Sequence, residues 1–275
     1  MDLIQAVVLG IVEGLTEFLP VSSTGHLTIA EKLLGLQVDD PAVTAYTAVI
    51  QIGAILAVLV YFARDLGRII KGWAHGLVSS SARDAEEYRF GWLIIMGSIP
   101  IGIVGLAAKP LIEGPLRSLW VVAGALIAWS AVMWWAERNP SQKKAEGDLT
   151  VADVLIVGLL QCVALVPGVS RSGATISAGL LRGVNRVTAT KLSFYLGIPA
   201  LVGAGVLEAP EALGKGIGVL PTVVGTVVSF VVAYASVAWL LRFVSSNRIT
   251  AFVPYRVVLG AAIMVALGAG LMSST

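Results

Sequence analysis

Long apolar runs dominate this chain and leave it few ways to fold. Six stretches, near residues 43–62, 91–108, 118–136, 193–207, 217–241 and 252–272, are almost free of charge. About 20 such residues are needed for a helix to cross the roughly 30 Å hydrocarbon core of a bilayer. Six full transmembrane helices are therefore expected, the one at 193–207 being short enough to need a few flanking residues. The whole chain agrees: 57% of its 275 residues are hydrophobic and 13% charged, with mean hydropathy +0.87, outside the usual range of proteins dissolved in water.

Two further apolar regions, 2–36 and 151–183, are broken in the middle, by Pro20 with Ser22-Ser23-Thr24-Gly25 and by Pro167-Gly168 with Ser170-Arg171-Ser172-Gly173. Proline and glycine together stop a helix, and each region then resumes as a short helix, so each predicts a re-entrant helical hairpin. The halves also resemble one another. At an offset of 148 residues Glu13 aligns with Gln161, the Ser22–Gly25 segment with Ser170–Gly173, and "YTAVIQIGAI" from Tyr46 with "FYLGIPALVG" from Phe194, while Pro20 and Pro167 miss by one position. One hairpin and three crossings per half, an odd number, would set the second half upside down. The expected fold is an all-α polytopic membrane protein, a single membrane domain over 1–275 with inverted-topology repeats at about 1–138 and 151–275.

Polar connections fall at 37–42, 63–90, 109–117, 137–150, 182–191, 208–216 and 242–251. If hairpins return to their own face and full spans cross, fourteen of the nineteen basic residues share one side, Arg64, Arg68, Lys71, Arg186 and Arg256 among them; Lys32, Lys109, Arg117 and Lys215 take the other. The positive-inside rule makes the first side cytoplasmic and puts both termini and the mouth of the first hairpin outside. Trp73, Trp92, Trp120, Trp134 and Trp135 lie near span ends, as interfacial anchors do. A net charge of +2, dispersed among apolar blocks, offers no basic stripe for nucleic acid. Partners should be membrane lipids or small molecules. The N-terminal segment lacks a basic leader and carries Glu13 and Glu17 where a signal peptide's apolar core would lie, so it is expected to stay. The lone Cys162 permits no intrachain disulfide and reads as a small core residue.

The hairpins carry the chemistry. Glu13 and Glu17, four residues apart, stack on one helix face, about 6 Å apart. Each ionised group in a membrane costs about 2.5–3.5 kcal/mol, so a shared proton, Arg171 or a divalent cation must compensate them. Ser22, Ser23, Thr24 and Gly25 open the resumed helix, where free backbone N–H groups make an anion site. Ser23 and His26 can share one face of a turn, either as nucleophile and base or as phosphate ligand and proton donor. In the second hairpin, Arg171 suits bidentate capture of phosphate, or a structural bridge to Glu13 or Glu17. Ser170, Ser172 and Thr175 add hydroxyls and Gly173 admits the backbone. A pocket of this kind opening outward from the bilayer fits a phosphorylated lipid. A lipid transporter or flippase is the alternative that the paired broken helices allow.

At "EGLTEFLPVSSTGH" (Glu13–His26) and "PGVSRSGATI" (Pro167–Ile176) the sequence resembles the undecaprenyl pyrophosphate phosphatases of the BacA type, and the likeness covers essentially the whole chain. The resemblance implies hydrolysis of undecaprenyl pyrophosphate to undecaprenyl phosphate and inorganic phosphate at the outer face of the bacterial plasma membrane. That reaction recycles the carrier lipid for peptidoglycan synthesis, and overproduction of such enzymes gives bacitracin resistance. It implies dependence on a divalent cation, for which Mg2+ or Ca2+ is expected and the paired carboxylates Glu13 and Glu17 are the candidate ligands, and it leaves oligomer formation open. Glu17, Ser23, His26 and Arg171 match the family's catalytic residues; Glu13, Ser22, Thr24, Ser170 and Thr175 match supporting positions. Ser23, His26 or water remains open as nucleophile. "KLSFYLGIP" (Lys191–Pro199) departs from the relatives' usual "FSFLLAIP", which bears on contacts to the substrate's tail.

Overall fold

The computed structural model describes residues 1–38, 40–113, 116, 118–138, 141–212 and 218–274, with backbone alone for 113 and 206–212. Its α-helices are α1 (Leu3–Thr16), α2 (Ser23–Leu33), α3 (Pro41–Tyr61), α4 (Ala63–Val78), α5 (Glu86–Ala107), α6 (Lys109–Glu113), α7 (Leu119–Ala136), α8 (Val151–Gln161), α9 (Arg171–Leu181), α10 (Arg186–Ala212), α11 (Val219–Ser246) and α12 (Val253–Gly268). Among the described residues six segments are long and apolar enough to cross a bilayer: α3, α5, α7, α10, α11, and α12 with the short turn before it. The chain is thus a multi-pass membrane protein.

The remaining apolar helices form two helix–turn–helix units, α1–α2 and α8–α9, whose starts coincide at the 148-residue offset. Their caps coincide too. Asp2 and Gln5 make a capping box at α1, and Thr150 and Asp153 make one at α8, each satisfying two otherwise unpaired N–H donors. In each turn the residue before the second helix is a serine at positive φ, Ser22 at 77° and Ser170 at 76°, the two non-glycine residues so placed among the described residues. Such a conformation costs about 1–3 kcal/mol and persists only where its surroundings enforce it.

The turns are stitched together. Ser22 Oγ accepts a hydrogen bond from Gly168 N at 3.1 Å, and Ser172 Oγ donates to Leu19 O at 2.9 Å. Around them α1 and α3 press on α11 through glycine contacts: a Cβ at Gly14 would lie 2.6 Å from Ser229 O, and one at Gly53 would lie 2.3 Å from Thr226 O. Phe18, in the turn of the first unit, meets Phe194 of α10 edge-on at 5.4 Å, anchoring that turn to the largest apolar cluster.

Three sequence expectations change. Residues 63–90, read as a polar connection, contain α4, which turns Ile69, Trp73 and Gly76 toward the protein and leaves Arg64, Arg68 and Lys71 exposed. Its apolar residues recur at helical spacing instead of forming a run, so a search for unbroken runs passes over it. The span expected at 193–207 belongs to α10, which begins at Arg186; Asn185 Oδ1 accepts from Thr188 N at 2.9 Å and caps that polar first turn. Arg256, assigned to the cytoplasmic side, is completely buried instead. Arg117, Lys215 and part of the 208–216 connection lie outside the described residues.

Candidate active site

Ser23 and Arg171 are the first residues of α2 and α9, equivalent positions of the two units, and they converge on one carboxylate. Ser23 Oγ donates to Glu17 Oε2 at 2.6 Å. Arg171 Nη2 donates to Glu17 Oε1 at 3.3 Å. The ion pair is screened from solvent, with the Arg171 and Glu17 side chains 13% and 5% exposed, while Ser23 is half-buried. Arg171 also donates from Nη1 to Ser193 O at 3.2 Å and lies over the Phe18 ring. Its guanidinium fits there because residue 197 has no side chain; a Cβ at Gly197 would lie 1.6 Å from Nη1.

Glu13, one turn earlier on α1, is 1% exposed, within electrostatic reach of Glu17 and Arg171, and its Oε1 has no hydrogen-bond partner. A buried carboxylate oxygen in this condition is costly unless a proton, a water or a cation meets it. With Ser23 and Thr24 it lines a cavity of about 180 Å³ that continues between α2 and α3 past Thr28, Glu31 and Gln51.

His26 faces elsewhere than expected. Its Nδ1 is 2.7 Å from Ser22 O and its Nε2 2.5 Å from Tyr255 Oη of α12. A carbonyl only accepts, so in the neutral ring Nδ1 carries the hydrogen and Nε2 accepts from the tyrosine. Ser23 therefore pairs with Glu17, not with His26. The other hydroxyls are also engaged: Ser170 with Ser172 at 3.1 Å, and Thr175 with Arg171 O at 2.8 Å and Ser193 Oγ at 2.7 Å. Gly25 N and Gly173 N point to the capping hydroxyls of Ser22 and Ser170. The N–H groups of Ser23, Thr24, Arg171 and Ser172 head their helices without an intrahelical acceptor, a pair of positive helix ends facing one centre.

Sequence reasoning missed Ser193, Gly197, Tyr255 and Arg256. An arginine four residues into an apolar run was a usable signal; the other three left none.

Spanning helices around two converging polar turns define a polytopic membrane protein with a charged centre buried among its helices. The family model described as "Bacitracin resistance protein BacA" matches residues 6–262, and the chain belongs to that family. It is similar to "Undecaprenyl-diphosphatase 3" of Frankia casuarinae, 52% identical with all of both chains covered. It is also similar to "Undecaprenyl-diphosphatase 1" of Streptomyces coelicolor, 57% identical over 98% of each chain, and to "Undecaprenyl-diphosphatase" of Mycolicibacterium smegmatis, 48% identical over the whole of both.

Proposed function

We propose that this protein is an undecaprenyl-diphosphatase, hydrolysing undecaprenyl pyrophosphate to undecaprenyl phosphate and inorganic phosphate and so recycling the carrier lipid for cell-wall synthesis. One observation carries the mechanism: the Ser23 hydroxyl donates at 2.6 Å to a carboxylate, Glu17, whose other oxygen is held by Arg171. In the reaction Ser23 Oγ attacks the terminal phosphorus while Glu17 takes its proton. The new Oγ–P bond forms as the bridging P–O bond breaks, and undecaprenyl phosphate leaves. Water then releases phosphate from Ser23. As Glu17 gains a proton it loses its hold on Arg171, whose guanidinium, with the N–H groups heading α2 and α9, stabilises charge on the transferring phosphoryl group. His26 Nδ1 is committed to Ser22 O and its Nε2 to Tyr255 Oη, so a protonated His26 would serve the leaving group only after releasing the tyrosine.

Glu13 and Glu17 are the residues that would hold a divalent cation, Mg2+ or Ca2+. The unpartnered buried Oε1 of Glu13 fits that role. Among the described residues no group of three or more His, Cys, Asp or Glu is gathered, so substrate oxygens and water would complete the shell, as is usual for Mg2+. Bound there, the cation would neutralise charge on the pyrophosphate.

In this reading the two helix–turn–helix units are re-entrant, the halves are inverted repeats, and the site opens to the outer face of the plasma membrane with both termini outside. The matched caps and the paired serines at positive φ support the repeat. Phosphate release from a polyprenyl pyrophosphate by the purified protein, with and without chelator, tests the activity. Release that survives both Ser23→Ala and Arg171→Ala would defeat the mechanism, and no release by wild type would leave transport as the better account.

A further inference from the structure

A fully buried arginine without a carboxylate is costly, because its hydration is lost and no opposite charge offsets the loss. Arg256 is such a residue: it is 0% exposed, and among the described residues its partners are carbonyls and one hydroxyl. Nε donates to Ser130 Oγ at 3.2 Å. Nη1 donates to Pro20 O at 2.9 Å. Nη2 lies 2.9 Å from Gly168 O, 3.0 Å from Val169 O and 3.4 Å from Leu126 O.

Those acceptors belong to three different places. Pro20 is in the first turn, Gly168 and Val169 are in the second, and Leu126 and Ser130 lie on α7. A guanidinium is planar and its nitrogens are fixed relative to one another, so one rigid fork sets the separation of the two turns. Ser23 begins three residues after Pro20, and Arg171 two residues after Val169. The distance that brings Ser23 and Arg171 to opposite oxygens of Glu17 is thus set behind them, by a group that touches neither. The preceding residue on α12, Tyr255, holds Nε2 of His26. Conformational strain at Ser22 and Ser170 makes such a brace necessary, since each turn left alone would relax from positive φ.

We propose that Arg256 is a positioning residue for the reaction: it locks the two turns in register so that nucleophile, base and phosphate-binding guanidinium meet at one phosphorus. The inference rests on the phosphatase reading. A lysine at this position keeps the charge, but its single nitrogen cannot span acceptors on three segments.

The test uses the full chain, purified in detergent, with a polyprenyl pyrophosphate as substrate and phosphate release as readout, for wild type, Arg256→Lys, Arg171→Lys and the double variant. Misplacement of reacting groups by about 1 Å costs on the order of 100-fold. R256K should therefore lower kcat about 100-fold, with KM within about threefold of wild type and a melting temperature above that of the assay. Neighbours acting as one unit are not additive, so R171K should cost at least about tenfold less in the R256K background than alone. Several results would overturn the proposal: kcat of R256K within about threefold of wild type, a loss no larger than its unfolded fraction, or costs that simply multiply. Should R256K fail to fold, Ser130→Ala removes the Nε partner and loosens the fork with the charge in place. It should lower kcat about threefold to tenfold and show the same coupling to R171K; wild-type kcat in S130A would then overturn the proposal. A silent wild type would sink the phosphatase reading itself.

Discussion

Replacing Glu17 by glutamine keeps the shape of the side chain while removing its charge and one of its two acceptor oxygens. In the native site one oxygen accepts from Ser23 at 2.6 Å and the other from Arg171 at 3.3 Å. An amide has a single acceptor and turns an NH2 toward the other donor, so one of the two contacts is lost and replaced by repulsion between donors. Removing a general base costs about 10²–10⁴ in rate, or roughly 3–5 kcal/mol of barrier at 1.36 kcal/mol per decade. Leaving a buried guanidinium without its partner costs about 3–5 kcal/mol of stability as well. E17Q should therefore lower kcat about 10³-fold, change KM little because the substrate still meets Arg171 and the helix ends, and melt at a lower temperature. Steady-state phosphate release under saturating lipid pyrophosphate separates kcat from KM, and Glu17→Asp serves as the control that keeps the charge and shortens the reach. E17Q retaining more than about one-tenth of wild-type kcat would show that Ser23 gives its proton elsewhere and refute the role derived from the geometry.

Gly197→Ala puts a methyl group where the Arg171 guanidinium lies; it should break the contacts to Ser193 and Glu17 and lower kcat/KM about tenfold or more, and an unchanged value would mean that Arg171 reaches its substrate from another rotamer. Glu13→Gln should raise the divalent-cation concentration needed for half-maximal activity by about tenfold, measured by metal titration after chelation; an unshifted titration would remove Glu13 from the ion's ligands. In the first turn of α8, buried Asp153 accepts from Lys144 at 2.9 Å and from Arg182 at 2.8 Å. Burial alone would raise its pKa, but hydrogen bonds from Lys144, Thr150 and Arg182 outweigh burial and bring it to about 2. A lowered folded-state pKa stabilises above the unfolded value and is lost as pH falls through the folded one. Asp153→Asn should therefore melt below wild type at neutral pH, with the gap closing between about pH 4 and pH 2; a gap independent of pH would contradict the charge-based account.

Spans were legible wherever apolar character was continuous, as at α3, α5, α7 and α11, because the bilayer imposes length and composition together. They were not legible where a helix mixes its faces: α4 presents arginines and isoleucines in turn, and the first two turns of α10 carry Arg186, Thr188, Thr190 and Lys191. The site was half legible. Glu13, Glu17, Ser23 and Arg171 announced themselves as polar groups in apolar blocks, and the structure brings Glu17, Ser23 and Arg171 together with Glu13 alongside. Partner choice was hidden, since helical spacing allows Ser23 to face His26 but cannot know that Tyr255, more than two hundred residues later, takes the imidazole. Gly197 left no trace either; its contribution is the absence of atoms.

The brace proposed at Arg256 sits on α12, the last spanning helix among the described residues. A chain made and inserted from its N-terminus would present both strained serine turns to the bilayer long before the guanidinium that holds them arrives. Chemistry at this centre would then switch on only once α12 has been made, and a chain cut short before α12 would carry Glu17, Ser23 and Arg171 yet be unable to aim them.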